Sequence, residues 1–239
     1  MLSRRNIRIK VMQVLYAANR DPELKYPQML LLYNENVRRS FEQYLLSLLQ
    51  LVKAAQYARE VFDKKASKLR PTEEDRVFTP KLCDNPLIAS LLEHKGLRNI
   101  LKVHHIEERI NDDNSRLLYN LFAKTDIYKA YLSKPENSLA EHRQILLEFY
   151  KSCYNSDILN DLMEDNFIGW TDDKSLVVGA MKKTIKGLPV NGDFYLEFEP
   201  AAETVKEFGE ALLQFVVNKD EDYRQIIEPT LKNWDAERV

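Results

Sequence analysis

The segment 3–16, SRRNIRIKVMQVLY, carries Arg4, Arg5, Arg8 and Lys10 and no acid. A guanidinium offers a planar fork of N–H donors that matches a phosphate, and a lysine adds a point charge. At the start of a helix such cations face the positive end of the dipole, at a cost of roughly 0.3–1 kcal/mol each. Ser3 can cap the free amides but brings no counter-charge. The cluster therefore points to an anion outside the chain, with phosphate the natural candidate. The competing reading is a solvated helix start, and on spacing alone that is the more common fate of four charges.

Other groups are weaker candidates. His104-His105-Ile106-Glu107-Glu108 has metal-ligand residue types, but a structural metal needs about four protein ligands. The chain has only four histidines (94, 104, 105 and 142), so a solvated charged helix is the preferred reading. Asp157, Asp161, Glu164 and Asp165, with Asp172 and Asp173, read as acidic solvated faces rather than a catalytic pair. Cys83 and Cys153 lie far apart without metal spacing and read as reduced thiols. No phosphate loop, nucleophile elbow, dinucleotide fingerprint or zinc ribbon is present. The expectation is a non-enzyme with no metal and no cofactor.

The elements that must hold these residues are helical. At 100° per residue Ile7, Val11, Val14, Leu15 and Ala18 share one stripe, and Ile9, Met12 and Tyr16 a second. Two stripes predict a first helix, ending near Asn19, buried between others; Asp21-Pro22 and Tyr26-Pro27 then break it. Residues 28–69 lack breakers and predict one or two helices. A single one would run about 60 Å and must project or pair with another long helix. Residues 71–85 read as a linker. Asn85 caps a short helix opened by Pro86 and stopped near Gly96. Further helices are expected over about 113–132, from the capping box Ser138-x-x-Glu141, through Leu162 and Met163, and from Thr171 to Ile185. The last are expected over 201–217, 220–228 and from 231 on. Phe194 to Phe198 is the best strand candidate, short and isolated. The fold class is all-α, in keeping with only six glycines in 239 residues.

A net charge of −2 confines any nucleic-acid contact to a local patch, and residues 1–10 at +4 are the most concentrated one. No apolar run approaches 18 residues, so no membrane span is expected, and the basic N-terminus lacks the apolar core of a secretory signal. Cytoplasm is the expected compartment.

Arg4-Arg5-x-x-Arg8 followed by Val11-x-Gln13-x-Leu15-Tyr16 resembles the opening helix of the transcription antitermination factor NusB family. Phe208-x-x-Ala211-Leu212-Leu213-x-x-Val216, Tyr223, Ile227-x-Pro229-x-Leu231, Trp234 and Arg238 are similar to that family's middle helices. The resemblance covers roughly the first 20 and last 35 residues. It implies a NusB-type helical bundle made of 1–20 and 201–239, with 21–200 as a large helical insertion. It also implies that the family's C-terminal helices are missing, as in a truncated chain, so that self-association or repacking would cover the exposed inner faces. The implied function is RNA binding: a single-stranded leader element of ribosomal RNA transcripts, held with NusE (a small-subunit ribosomal protein) to act indirectly on the RNA polymerase elongation complex. Arg4, Arg5, Arg8, Lys10 and Gln13 would meet RNA, Tyr16 would meet NusE, and Trp234 reads as a core or interface anchor. A helical scaffold that binds protein through 28–69 is the alternative, and a regulatory domain of an RNA methyltransferase a third.

Overall fold

The breaker-free stretch folds as one helix, α2 (Tyr26–Ala66). The computed structural model describes residues 2–219, 222, 223 and 225, and every regular element among them is helical. Pro27 does not break the chain. It sits in the first turn of α2, where its missing N–H has no partner to lose. Nor does the helix project. Every residue from Ser40 to Val52 is buried, so shorter helices cover this stretch on all sides.

The chain divides into two compact units, Met1–Arg39 with Glu199–Val239, and Ser40–Phe198. The boundary between the units falls inside α2. The larger unit holds the rest of α2, then α3 (Glu73–Val77), α4 (Pro86–Glu93), α5 (Lys95–Val103), α6 (Asp112–Ala123), α7 (Asp126–Ser133), α8 (Leu139–Tyr154), α9 (Asp157–Asn166) and α10 (Trp170–Gly187). Phe122, Phe149, Met163, Trp170 and Met181 are among its buried side chains, each contributing on the order of 1.5–3 kcal/mol. A polar seam down α2 is also buried, and much of it is bonded. Ser40 Oγ donates to Asp173 Oδ2 at 2.7 Å, and Gln50 Nε2 donates to Ser115 Oγ at 2.9 Å. The Ser47 and Tyr150 hydroxyls lie 3.2 Å apart.

Several sequence expectations are revised here. The stretch 71–85 is not a plain linker: Thr72 and Asp75 cap each other's backbone to form α3, and the Asp75 carboxylate gathers Lys65 at 3.1 Å and Lys68 at 2.9 Å. The helix expected over 113–132 splits because Thr125 caps a new one, accepting from the Tyr128 N–H. Gly96 stops nothing; His94 ends α4 and caps α5 through Nδ1, 2.9 Å from the Leu97 amide. Phe194–Glu197 is a 3-10 turn, not a strand. The Asn85 cap and the Ser138–Glu141 box form as read.

The smaller unit contains α1 (Arg4–Arg20), the first part of α2, a π-helix (Glu203–Glu210) and α11 (Ala211–Asn218). The single helix expected over 201–217 is thus a π-helical segment leading into an α-helix. Ile7, Val11 and Val14 are buried in the core of this unit, as are Tyr33, Val37, Val205 and Leu213. Gly209 lets the backbones approach. A Cβ there would overlap the Tyr33 Oη, and would lie 2.6 Å from Tyr33 Cζ and 2.7 Å from Ile7 Cγ2. Tyr33 Oη donates to the Val205 carbonyl at 3.0 Å and Asn34 Nδ2 to Glu210 Oε1 at 3.0 Å, pinning the π-helix to α2. The second stripe of α1 is not buried: Met12 is 60% and Tyr16 59% exposed. The elements expected over 220–228 and from 231 on, with Ile227, Pro229, Leu231, Trp234 and Arg238, lie outside the described residues apart from isolated positions.

Candidate nucleic-acid interface

Ser3 opens α1 by accepting from the Asn6 amide at 3.3 Å, while Asn6 Oδ1 accepts from the Ser3 amide at 3.1 Å. This neutral capping box satisfies orphan amides without placing an acid in the first turn. Arg4, Arg5 and Arg8 are exposed. Among the described residues, none of the three forms an ion pair with a carboxylate. Arg4 and Arg8 instead lie over the ring of Phe208, their guanidinium carbons 5.4 and 5.5 Å from its centroid. An aromatic face holds a guanidinium in place but neutralises none of its charge.

Helical angles explain which expected residues come together. Arg4 and Arg8 sit about 40° apart, at the edge of the buried stripe that faces the π-helix, and Arg5 follows about 60° further round. Met12, Tyr16 and Ile9 continue that open face. Lys10 falls on the other side, about 40° from Val14, and is 5% exposed. Its position beside the core stripe encloses it, unlike the three exposed arginines. Gln13 is half-buried between the two sides, about 40° from Ile9 and about 60° from Lys10. Tyr16 is open, and Arg20 Nη2 donates to its hydroxyl at 2.8 Å.

Sequence reasoning missed Phe208 as part of this group. Two signals bear on it: an aromatic next to an in-helix glycine, Phe208-Gly209, and two arginines spaced to reach one ring. It also missed a second basic stripe. Lys95, Arg98 and Lys102 of α5 are exposed and lie over no ring among the described residues.

The other candidates resolve into structure. His104 Nδ1 lies 3.1 Å from Glu42 Oε1, and Arg109 Nη1 lies 3.2 Å from Glu42 Oε2, with the Glu42 side chain 1% exposed. The expected solvated helix at 104–108 is therefore partly a buried charge cluster that ties α2 to the segment after α5. Asp173, expected on a solvated face, is buried against Ser40. Both cysteines are free thiols, and burial pushes the Cys153 thiol well above its ordinary range. Among the described residues no group of His, Cys, Asp and Glu is placed to hold a metal ion, and no helix is long and apolar enough to cross a membrane. Compared with known family models, curated proteins and solved structures, the chain matches none.

Proposed function

We propose that the chain is a non-catalytic RNA-binding factor whose α1 start grips the phosphates of a single strand. The observation that carries this reading is the trio Arg4, Arg5 and Arg8: exposed, in the first two turns of a helix without an acid, and free of carboxylate partners among the described residues. Concentrated guanidiniums beside an aromatic suit a single strand, whose phosphates and unstacked bases are both reachable. The NusB resemblance adds the finer reading: leader RNA of ribosomal transcripts, held together with NusE so that RNA polymerase resists termination. The open stripe of Ile9, Met12 and Tyr16 supports a protein partner on the same helix.

Anisotropy titrations of a labelled single-stranded RNA over a range of salt test the proposal. Three neutralised phosphates give a slope of log K against log salt of about −2. Arg5→Ala with Arg8→Ala should flatten it to about −0.7 and weaken binding at least about tenfold. Lys95→Ala with Arg98→Ala and Lys102→Ala removes as many charges from α5 and should leave slope and affinity near wild type. An arginine variant with unchanged slope and affinity rejects the RNA role.

The exposed apolar stripe also favours a second reading, a protein-binding scaffold without RNA. The long helix first suspected of that role is buried through Ser40–Val52, which moves the candidate surface to α1. Capture of partners that survives RNase, together with no RNA binding, supports this alternative.

A further inference from the structure

We infer that Phe208 is the positioning residue of the α1 interface, a ring that fixes Arg4 and Arg8 so that their N–H edges meet successive phosphates of a single-stranded RNA. This rests on the RNA reading above and extends it to a residue outside α1. Arg4 and Arg8 are one helical turn apart, a rise of about 6 Å, on the order of one nucleotide step in an extended strand. Left to solvent, two arginines sample many rotamers, and ordering each on binding weakens affinity. Here both guanidiniums already lie over one ring, at 5.4 and 5.5 Å. A carboxylate in that position would occupy the same N–H edges that a phosphate needs. A ring engages the flat π-surface of the guanidinium and leaves the edges open.

The ring is itself held firmly. Phe208 lies in the π-helix, and its neighbour Gly209 packs against Tyr33 and Ile7 with no room for a Cβ. Tyr33 bonds the Val205 carbonyl one turn earlier and Asn34 bonds Glu210 just after. A π-helical segment is rare and is frequently found at functional sites. This one connects the close packing at Gly209 to the ring that meets the arginines. Phe208 is only half-buried, so core packing alone does not account for its placement.

Three measurements test the inference on the full chain. In wild type without RNA, the Nε–Hε groups of Arg4 and Arg8 should be more ordered by NMR relaxation, and more ring-current shifted, than that of Arg5; equal mobility overturns the proposal. Phe208→Leu should weaken binding of a single-stranded RNA about tenfold, or about 1.4 kcal/mol, while the salt slope stays at its wild-type value because no charge is lost. Phe208→Tyr, which keeps the ring, should bind like wild type. If wild type binds with the expected slope but Phe208→Leu binds equally well, Phe208 does not position the arginines and the RNA reading stands. A flattened slope in Phe208→Leu also overturns it, because the arginines would then have lost their phosphates rather than their order. No binding by wild type overturns both readings.

Discussion

Gly209→Ala is the sharpest test of how the smaller unit is packed. The new methyl would overlap the Tyr33 hydroxyl and crowd Tyr33 Cζ at 2.6 Å and Ile7 Cγ2 at 2.7 Å. A tyrosine hydroxyl at a surface could swing away cheaply. Tyr33 is fully buried, and its hydroxyl is committed to the Val205 carbonyl. Overpacking costs about 1–3 kcal/mol, and breaking that buried hydrogen bond about 1–3 kcal/mol. Replacing a helical glycine gives back about 1 kcal/mol, so the net destabilisation should be about 1–5 kcal/mol. Gly179 is the internal control. It lies inside α10 with nothing within 4 Å of an added Cβ, so Gly179→Ala should stabilise by about 0.5–1 kcal/mol. Urea unfolding followed by circular dichroism measures both, and amide exchange on α1 reports the smaller unit separately. Tyr33→Phe in the Gly209→Ala background removes the overlapping oxygen and should recover part of the loss as a positive coupling. Gly209→Ala at or above wild-type stability would refute the close-packing argument.

Two further outcomes follow from the charge clusters. Glu42→Ala strands Arg109 and His104 beside a buried vacancy and should cost about 2–4 kcal/mol in chemical denaturation; a loss below about 1 kcal/mol would show that the cluster is not holding its segment. Lys134, together with the Ser138 amide, holds the Glu141 carboxyl at about 2 against an ordinary 4.5. A carboxyl depressed in the folded state stabilises at pH above 4.5 and loses that contribution as pH falls toward 2. Glu141→Gln should therefore be less stable than wild type at pH 7, with the gap closing on acidification; a gap independent of pH would rule the pairing out.

The all-α class and most helix starts could be read from the chain because their signals are local. Asn85-Pro86 and Ser138-x-x-Glu141 carry their own cap chemistry, and the stripe Ile7-Val11-Val14 marks the inner face of α1. What stayed hidden depends on distant partners. Ser40, Ser47 and Gln50 look like a solvent-facing seam until Asp173, Tyr150 and Ser115 arrive from other helices to bond with them. Ile9, Met12 and Tyr16 look like a second buried stripe, but no described helix covers them. Lys10 counted as a charge in the sequence and became a buried side chain because of its angle to Val14. The three arginines kept their exposure, yet the ring that Arg4 and Arg8 share comes from about 200 residues away, a pairing that no periodicity within α1 can reveal.

The chain's treatment of its other cations argues that Arg4, Arg5 and Arg8, without a carboxylate partner among the described residues, are a functional feature of α1. Acids are not scarce: 37 Asp and Glu stand against 35 Lys and Arg. Elsewhere they are used as partners, with Arg59 on Asp84, Lys65 and Lys68 on Asp75, Arg109 on Glu42 and Lys134 on Glu141. At α1 the first turn has no acid and its cap is the neutral Asn6, although Asp or Glu there would favour the helix dipole by roughly 0.3–1 kcal/mol. The chain therefore forgoes stability at the one place where three guanidiniums gather within five residues. It keeps two of them in order with a ring that leaves their charge intact. Among the described residues the basic stripe of α5 also lacks carboxylate partners but has no such ring, and two of its three cations are lysines. That contrast is why α5 should behave as a solvated face and α1 as a phosphate grip, and why exchanging the two sets of substitutions in one salt titration separates them.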